Sequence, residues 1–482
     1  MRWNGLECAH GRAMAELRLL QLNIEYGGTG VDFAAVIDVI GSSGASVAAL
    51  QEGCGNVPRV ASALGWPYYN VRTQVVSTLP LLDPPDASNG VVFVEVEPGR
   101  VVGIVNVHPP SRGYGAFRLE RGEPEGRVLR RERRVRLRAL QPSLDAASGL
   151  MSSGIPMVLL GDFNAPSHRD WTERAVGLRS HVTQPVAWPT SVAAEESGLV
   201  DAYRAVYPDL VTHPGLTWPA QRPFVDGYNP AADGQAEDRI DLMYVSPDIG
   251  VSDVRIVGEN ESEYSDVSVT PWPTDHRGLL ADMQLTPAPP PTLVSVSRRV
   301  VPLGDDVEVC VVAANAASTV VVPRDADSST VVFEVPVDRA GRGRLQSEFV
   351  GAGRFDVVVR DDERGELART GLWVSGPGDR PSLRTDRGGY REGEPVGVRW
   401  AWTPGNRADW VAIFPRGAEV DAHGSTGRPL MHLTTGATVE GSGSFGEASH
   451  QRRWPLAPGD YTAHLLMDDL RVSLASTDFT VR

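Results

Sequence analysis

Pro156-Met157-Val158-Leu159-Leu160-Gly161-Asp162-Phe163-Asn164 is an apolar run that stops at a glycine and delivers a carboxylate and an amide two residues apart. Met157 to Leu160 has the length and composition of a strand covered on both faces. Gly161 lets the backbone turn without a side chain, so Asp162 and Asn164 share one side of the chain end. A carboxylate can ligate a hard cation or take a proton from water, and an amide can donate to a phosphate oxygen and accept from that water. The pair suits metal-assisted ester hydrolysis. By itself it favours a plain turn, because Gly-Asp is common there, so the rest of the chain must supply the other parts.

The device recurs on both sides of this stretch. Leu17 to Ile24 alternates toward a strand that carries Asn23 near its end, before Glu25, Tyr26 and the loop Gly27-Gly28-Thr29-Gly30. Phe33, Val36, Ile37 and Ile40 have the spacing of a helix lying on a sheet. Val47 to Leu50 is a short buried strand running into Gln51-Glu52. Residues 55 to 107 read as a meander, with strands Val91 to Val96 and Val101 to Val107 about the turn Pro98-Gly99, the second ending at His108. Leu137, Leu140 and Leu144 mark a helix leading back to the Met157 strand. Farther on, Arg239 to Val245 carries Asp241, and Thr274-Asp275-His276-Arg277 precedes a final strand.

The 482 residues exceed one ordinary domain. Net charge is −15, and all 46 basic residues are arginine. Up to residue 290 there are 24 arginines against 35 acidic residues (−11), and beyond it 22 against 26 (−4). An acidic first part disfavours promiscuous binding to duplex nucleic acid, which needs a basic face. Cys8, Cys54 and Cys310 are far apart and follow no metal or pairing pattern, so a reduced, cytoplasmic setting is expected. Residues 1 to 12 lack the apolar core of a signal peptide, Met14 is an alternative start, and no later run approaches membrane-spanning length.

The run Thr286 to Thr292 (T-P-A-P-P-P-T) reads as a stiff extended linker. Beyond it come short β-branched runs such as Val307 to Val312, Ser318 to Val322, Thr330 to Val335 and Phe355 to Val359, the texture of a β-sandwich. A second break at Ser375 to Pro381 opens a further set that includes Pro395 to Trp402, Trp410 to Phe414 and Tyr461 to Leu466. The expected organisation is an α/β domain over 15–286 and two all-β sandwich modules over 292–375 and 381–482.

Taken together, Leu22-Asn23-Ile24, Leu50-Gln51-Glu52, Asn106-Val107-His108, Gly161-Asp162-Phe163-Asn164, Arg239-Ile240-Asp241 and Thr274-Asp275-His276-Arg277 resemble the endonuclease/exonuclease/phosphatase superfamily of pancreatic-type deoxyribonucleases, sphingomyelinases and inositol polyphosphate phosphatases. Six short motifs in the family's order carry far more than any one of them. The resemblance implies a four-layer α/β sandwich. It implies Glu52 as principal ligand of Mg2+, with Mn2+ a substitute, helped by Asn23 and Asp275. Asp162 would orient or deprotonate the attacking water with Asn164 beside it. Asp241 would hold His276 through one ring nitrogen, and His108 would donate to a non-bridging oxygen. Thr274 stands where many relatives have serine, which keeps the hydroxyl. Pro404 to Phe414, with Tyr390, Gly393 and Pro458-Gly459-Asp460-Tyr461, resembles immunoglobulin-like modules of the SKICH type, which usually position or tether.

The expected activity is Mg2+-dependent hydrolysis of a phosphorylated small molecule or lipid head group. A metal-dependent nuclease and a catalytically silent phosphate-ligand binding protein are the alternatives. Ser111 to Arg138 holds ten arginines and four glutamates, and reads either as a solvated helix face or as a cationic lid for a polyanionic substrate. Asp238 reads as a loop cap, Asp201 as a cap or as support for the site, and Trp188 and Trp218 as cleft lining or buried loop aromatics. His168, His181 and His213 are taken as ordinary surface or satisfied residues.

Overall fold

The structure is a computed structural model that describes residues 14–85, 90–223, 236–260, 262–314, 316–325, 330–361, 365–420, 428–447, 454–468 and 472–482. Cys8 lies outside the described residues.

Two sheets face one another in the first part of the chain. Among the described residues, one is seven-stranded, with Ala15–Asn23 at its centre between Gly278–Leu285 and Val47–Gln51. The other is six-stranded, with Met157–Asp162 between Arg100–Val107 and Asp241–Val245. Leu19, Val47, Ala49, Val92, Ile104, Val158, Leu160 and Met243 interdigitate in the space between the sheets. The helix Phe33–Ser42 and a second one, Val57–Leu64, cover the outer face of the first sheet through Val36, Ile40 and Val60. Arg138–Ser152 covers the outer face of the second through Leu140, Leu144 and Ala147. Helix, sheet, sheet, helix is the four-layer α/β sandwich. The Val57–Leu64 helix lies inside the stretch expected to be a meander; its Pro58 fits the first turn and Gly65 closes it in the left-handed region at φ 67°.

Strand register brings the chemistry to one edge. Asn23 lies beside Gln51 in a parallel pair, Val107 beside Gly161 in another, and Asp162 opposite Asp241 in an antiparallel one. Gly161 is required where it stands. Its φ is +143°, and a Cβ there would lie 2.0 Å from the Val107 carbonyl oxygen.

The β-rich remainder forms four sheets among the described residues, two of three strands and two of five, in an arrangement of paired sandwiches. Val309, Val321, Leu345, Val357 and Leu372 fill the first sandwich; Val398, Val411, Ile413, Phe445, Leu465 and Phe479 fill the second. Both modules are joined to what precedes them. Val101 and Ala288 exchange backbone hydrogen bonds, and Asp83 accepts from Arg299 at 2.8 Å while its N–H donates to Ser295. Arg324 and Arg354 both pair with Glu440 across the two modules, at 2.8 and 3.1 Å. No helix among the described residues is long and apolar enough to cross a membrane.

Within the last module Asp409 is fully buried and accepts from Asn406 and from the Asp468 N–H. Burial, then the nearby Asp468 carboxylate, pushes its carboxyl from 3.8 up to about 7. Between those values the folded state holds a proton that the unfolded chain has lost, so stability falls as pH rises through the window and levels above it. His432 and His464, held below the usual imidazole range by burial, act in the opposite direction. The expected readout is therefore a difference. The thermal midpoint of Asp409→Asn should gain on that of the parent as pH rises from about 4 to about 7 and then stay level. A difference that is flat throughout would contradict the assignment.

Candidate active site

Asp162 ends its strand fully enclosed. One carboxylate oxygen accepts the Asn164 backbone N–H at 2.7 Å; the other accepts from Asn164 Nδ2 at 3.3 Å and Asn23 Nδ2 at 3.2 Å. The same oxygen faces His108 Nε2 at 3.5 Å and His276 Nε2 at 3.6 Å. Asn164 sits in the left-handed region at φ 49° and donates to the Pro109 carbonyl at 3.0 Å, which ties the end of this strand to the loop after His108. Burial disfavours ionisation of Asp162, but His276, His108 and the Asn164 N–H outweigh it and hold the carboxyl below its usual range.

His276 has its Nδ1 2.9 Å from Asp241 Oδ2. Burial works against its positive charge, yet Asp241, Asp162 and Asp275 together raise its pKa well above the usual imidazole value. The Asp241 carboxyl is raised as well, because burial lifts it more than the imidazolium lowers it. Asp241 is itself positioned by Gln21 Nε2 at 2.7 Å and by the hydroxyl of Thr217, which accepts the Asp241 N–H at 3.1 Å. Gln21 also donates to Gln51 at 2.6 Å, and Gln51 to Asn106 at 2.7 Å, so a buried polar ladder crosses between the sheets beneath the site.

On the other flank stand Glu52 and Asp275. Glu52, partly exposed, accepts from Asn23 Nδ2 and from the Tyr26 N–H, each at 3.2 Å. Asp275 accepts from Trp218 Nε1 at 3.2 Å, and burial with the Glu52 charge keeps its carboxyl above the usual range despite His276. Asn23 turns its NH2 to Glu52 and Asp162 and its oxygen to the Glu25 N–H at 3.0 Å, so here it serves the carboxylates as a donor. The Thr274 hydroxyl donates to the Asn23 carbonyl at 2.8 Å and fastens the two strand ends together.

Asn23, Glu52, His108, Asp162, Asn164, Asp241, Asp275 and His276 thus come together from six strand ends. Asp162, Asp241 and His276 also lie close enough to hold an ion. Their chemistry favours an ion-paired relay instead, because an imidazolium flanked by two carboxylates has no lone pair to offer a cation.

Several supporting residues carried no clear signal. Asp238 is a buried hub that accepts from Tyr114, Trp171 and His181 at 2.7, 2.9 and 3.1 Å, a convergence set by the long loops. Asp201 caps Ala202–Val206 through the Arg204 N–H and pairs with the buried Arg239. Asp170, from the loop after the Asp162 strand, completes that pair at 2.8 Å. Trp188 is fully buried against Trp171, whereas Trp218 is half-buried 6.2 Å from the His276 ring, with Phe117 and Tyr114 beyond it. In the arginine-rich stretch Arg136 is fully buried against Glu132 at 2.6 Å, while Arg127, Arg130, Arg134 and Arg138 are exposed.

The model of the Endonuclease/Exonuclease/phosphatase family matches residues 20–276, which spans all six strand ends. The chain belongs to this family. Family members are metal-dependent hydrolases that act on phosphoesters. An uncharacterized protein of Caenorhabditis elegans is 33% identical over 130 residues, 27% of this chain and 40% of that protein's length. Among solved structures, an endonuclease/exonuclease/phosphatase from Beutenbergia cavernae is 15% identical and covers 97% of this chain and 100% of its own, at a TM-score of 0.33. A mannosyl-6-phosphatase from Bacteroides thetaiotaomicron is 14% identical over 55% of this chain and 99% of its own, with a TM-score of 0.33. D. rerio TDP2 complexed with single strand DNA product is 11% identical, over 56% and 98%, with a TM-score of 0.33.

Proposed function

We propose that this chain is a Mg2+-dependent phosphoester hydrolase whose substrate is a phosphorylated small molecule or lipid head group. The observation that carries the reading is the opposed ionisation of Asp162 and His276 at 3.6 Å, beside the oxygen-bearing pair Glu52 and Asp275. The donor set fits a hard cation. Glu52 and Asp275 offer carboxylate oxygens, the hard donors such an ion prefers, and Asn23 braces Glu52 from behind. When bound there, such an ion supplies positive charge to the phosphate oxygens.

The chain's own groups account for the rest. Asp162, ionised and fixed by Asn164, accepts a hydrogen bond from the incoming water and aligns its oxygen with phosphorus. As the new P–O bond forms and the bond to the leaving oxygen breaks, the water's proton passes toward Asp162. His276, kept protonated by Asp241, and His108 donate to the non-bridging oxygens where charge builds. Trp218 and Phe117 give the cleft an apolar wall beside the phosphate position. The acidic surface supports a small or membrane-borne ester over duplex DNA, and a reduced, cytoplasmic compartment fits the sparse cysteines.

A nuclease is the second reading. It is favoured by the exposed stripe Arg130, Arg134 and Arg138, four residues apart along a helical run. The test compares p-nitrophenyl phosphate, bis-(p-nitrophenyl) phosphate and a short single-stranded DNA, each with Mg2+, Mn2+ or EDTA and with Asp162→Ala as blank. Metal-dependent release from either nitrophenyl ester, with the strand left intact, is the expected result. Strand cleavage favours the nuclease, and no reaction with any of the three contradicts the hydrolase reading.

A further inference from the structure

The Glu52 loop is built from unfavourable backbone. Glu52 and Cys54 have φ of 55° and 47°, in the left-handed region that side chains avoid, and Gly55 follows at 78°. The neighbouring turn Glu25-Tyr26-Gly27-Gly28 is left-handed throughout, with φ from 47° to 73°, and its Gly27 N–H donates to the Glu52 carbonyl at 2.7 Å. A segment so strained keeps its shape only where its surroundings fix it, and here part of the fixing comes from the far end of the chain.

Asp468, in the last β-module and 1% exposed, accepts the Gly55 N–H at 2.8 Å. It also accepts from Gln74 Nε2 at 3.1 Å, and Gln74 Oε1 in turn accepts the Gly53 N–H at 3.1 Å. One carboxylate therefore grips the loop on both sides of Cys54, directly at Gly55 and through Gln74 at Gly53. Asp468 is anchored in its own module by the Ala408 N–H at 3.1 Å, and its N–H donates to Asp409 at 3.0 Å. Met467 closes the contact: a Cβ on Gly55 would lie 2.9 Å from its sulfur.

We propose that the C-terminal β-module is a working part of the catalytic centre, with Asp468 a positioning residue that holds the Glu52–Gly55 loop in the conformation that aims Glu52 at its cation. The inference rests on the reading of Glu52 as a metal ligand. It gives the module a role besides tethering. The sequence separation of 413 residues between Asp468 and Gly55 makes the site dependent on the whole chain.

The test is calorimetric titration of Mn2+ into the full-length protein, which reads metal affinity without turnover. Asp468→Ala should weaken Mn2+ binding at least about 10-fold, the scale for loss of a partner that orients a ligand. Asp468→Asn, which keeps an acceptor for Gly55, should recover part of the loss. Gln74→Met breaks only the bridge to Gly53 and should weaken binding by a smaller factor, which keeps the test open if Asp468→Ala fails to fold. Glu440→Gln, which loosens the contact between the two β-modules away from this loop, should bind as the parent does. If Glu52→Gln lowers affinity while Asp468→Ala and Gln74→Met leave it intact, the positioning role is wrong. If Glu52→Gln itself changes nothing, the metal-ligand reading fails first.

Discussion

Asp162→Ala is expected to lower turnover by about 10^3-fold, the scale of losing a positioned proton acceptor together with the alignment it imposes on water. The size follows from how completely Asp162 is enlisted. Its two oxygens meet Asn164 twice, Asn23, His108 and His276, so no neighbouring carboxylate can take over. Asp241 is the nearest substitute and is committed to His276 and Gln21. Truncation removes little packing, and it relieves burial of a charge while leaving two imidazoles to adjust. Cooperative unfolding should therefore persist. Single-turnover rates at saturating metal check the claim, with far-UV circular dichroism as the control for folding. Rates within a few-fold of the parent would remove Asp162 from the reaction.

Arg239→Ala should be the most damaging substitution for the α/β domain. Arg239 has no exposed surface and links Asp170 at 2.8 Å to Asp201 at 2.7 Å, with Arg204 sharing Asp170 at 2.7 Å. Removing the guanidinium leaves two buried carboxylates with only Arg204 and a helix cap to balance them. Breaking one side of a buried pair costs roughly 3–5 kcal/mol, because the surviving charge stays desolvated. Two residues on, Asp241 and its hold on His276 depend on the same segment. Hydrogen exchange at the Asp241–Val245 amides is the sensitive probe, and exchange as slow as in the parent would show that the network carries less than its geometry implies.

Most of the site was legible because strand ends announce themselves. An apolar run that stops at a polar residue places that residue at a sheet edge, and six such edges coincide once the register aligns Asn23 with Gln51 and Asp162 with Asp241. The supports beneath were not legible. Gln21 and Thr217 look like any polar residue in a strand or loop until folding sets them against Asp241, and Asp238 reads as a turn residue until Tyr114, Trp171 and His181 converge on it. The Val57–Leu64 helix hid because its eight residues offer only Val57, Val60 and Ala61 to the core, too few for a clear period. The grip of Asp468 on Gly55 had no local signal at all, since it joins two modules through one carboxylate.

Glu52 and Asp275 are expected to hold a divalent cation beside Asp162 and His276. The most direct measurement is the rate of phosphoester hydrolysis as a function of Mg2+ concentration for the parent and for Glu52→Gln, each first stripped with EDTA. Turnover should vanish after stripping, recover fully in the parent at low Mg2+, and return in the variant only at concentrations at least about 10-fold higher. Metal-independent hydrolysis, or superimposable Mg2+ curves for the two proteins, would contradict that assignment.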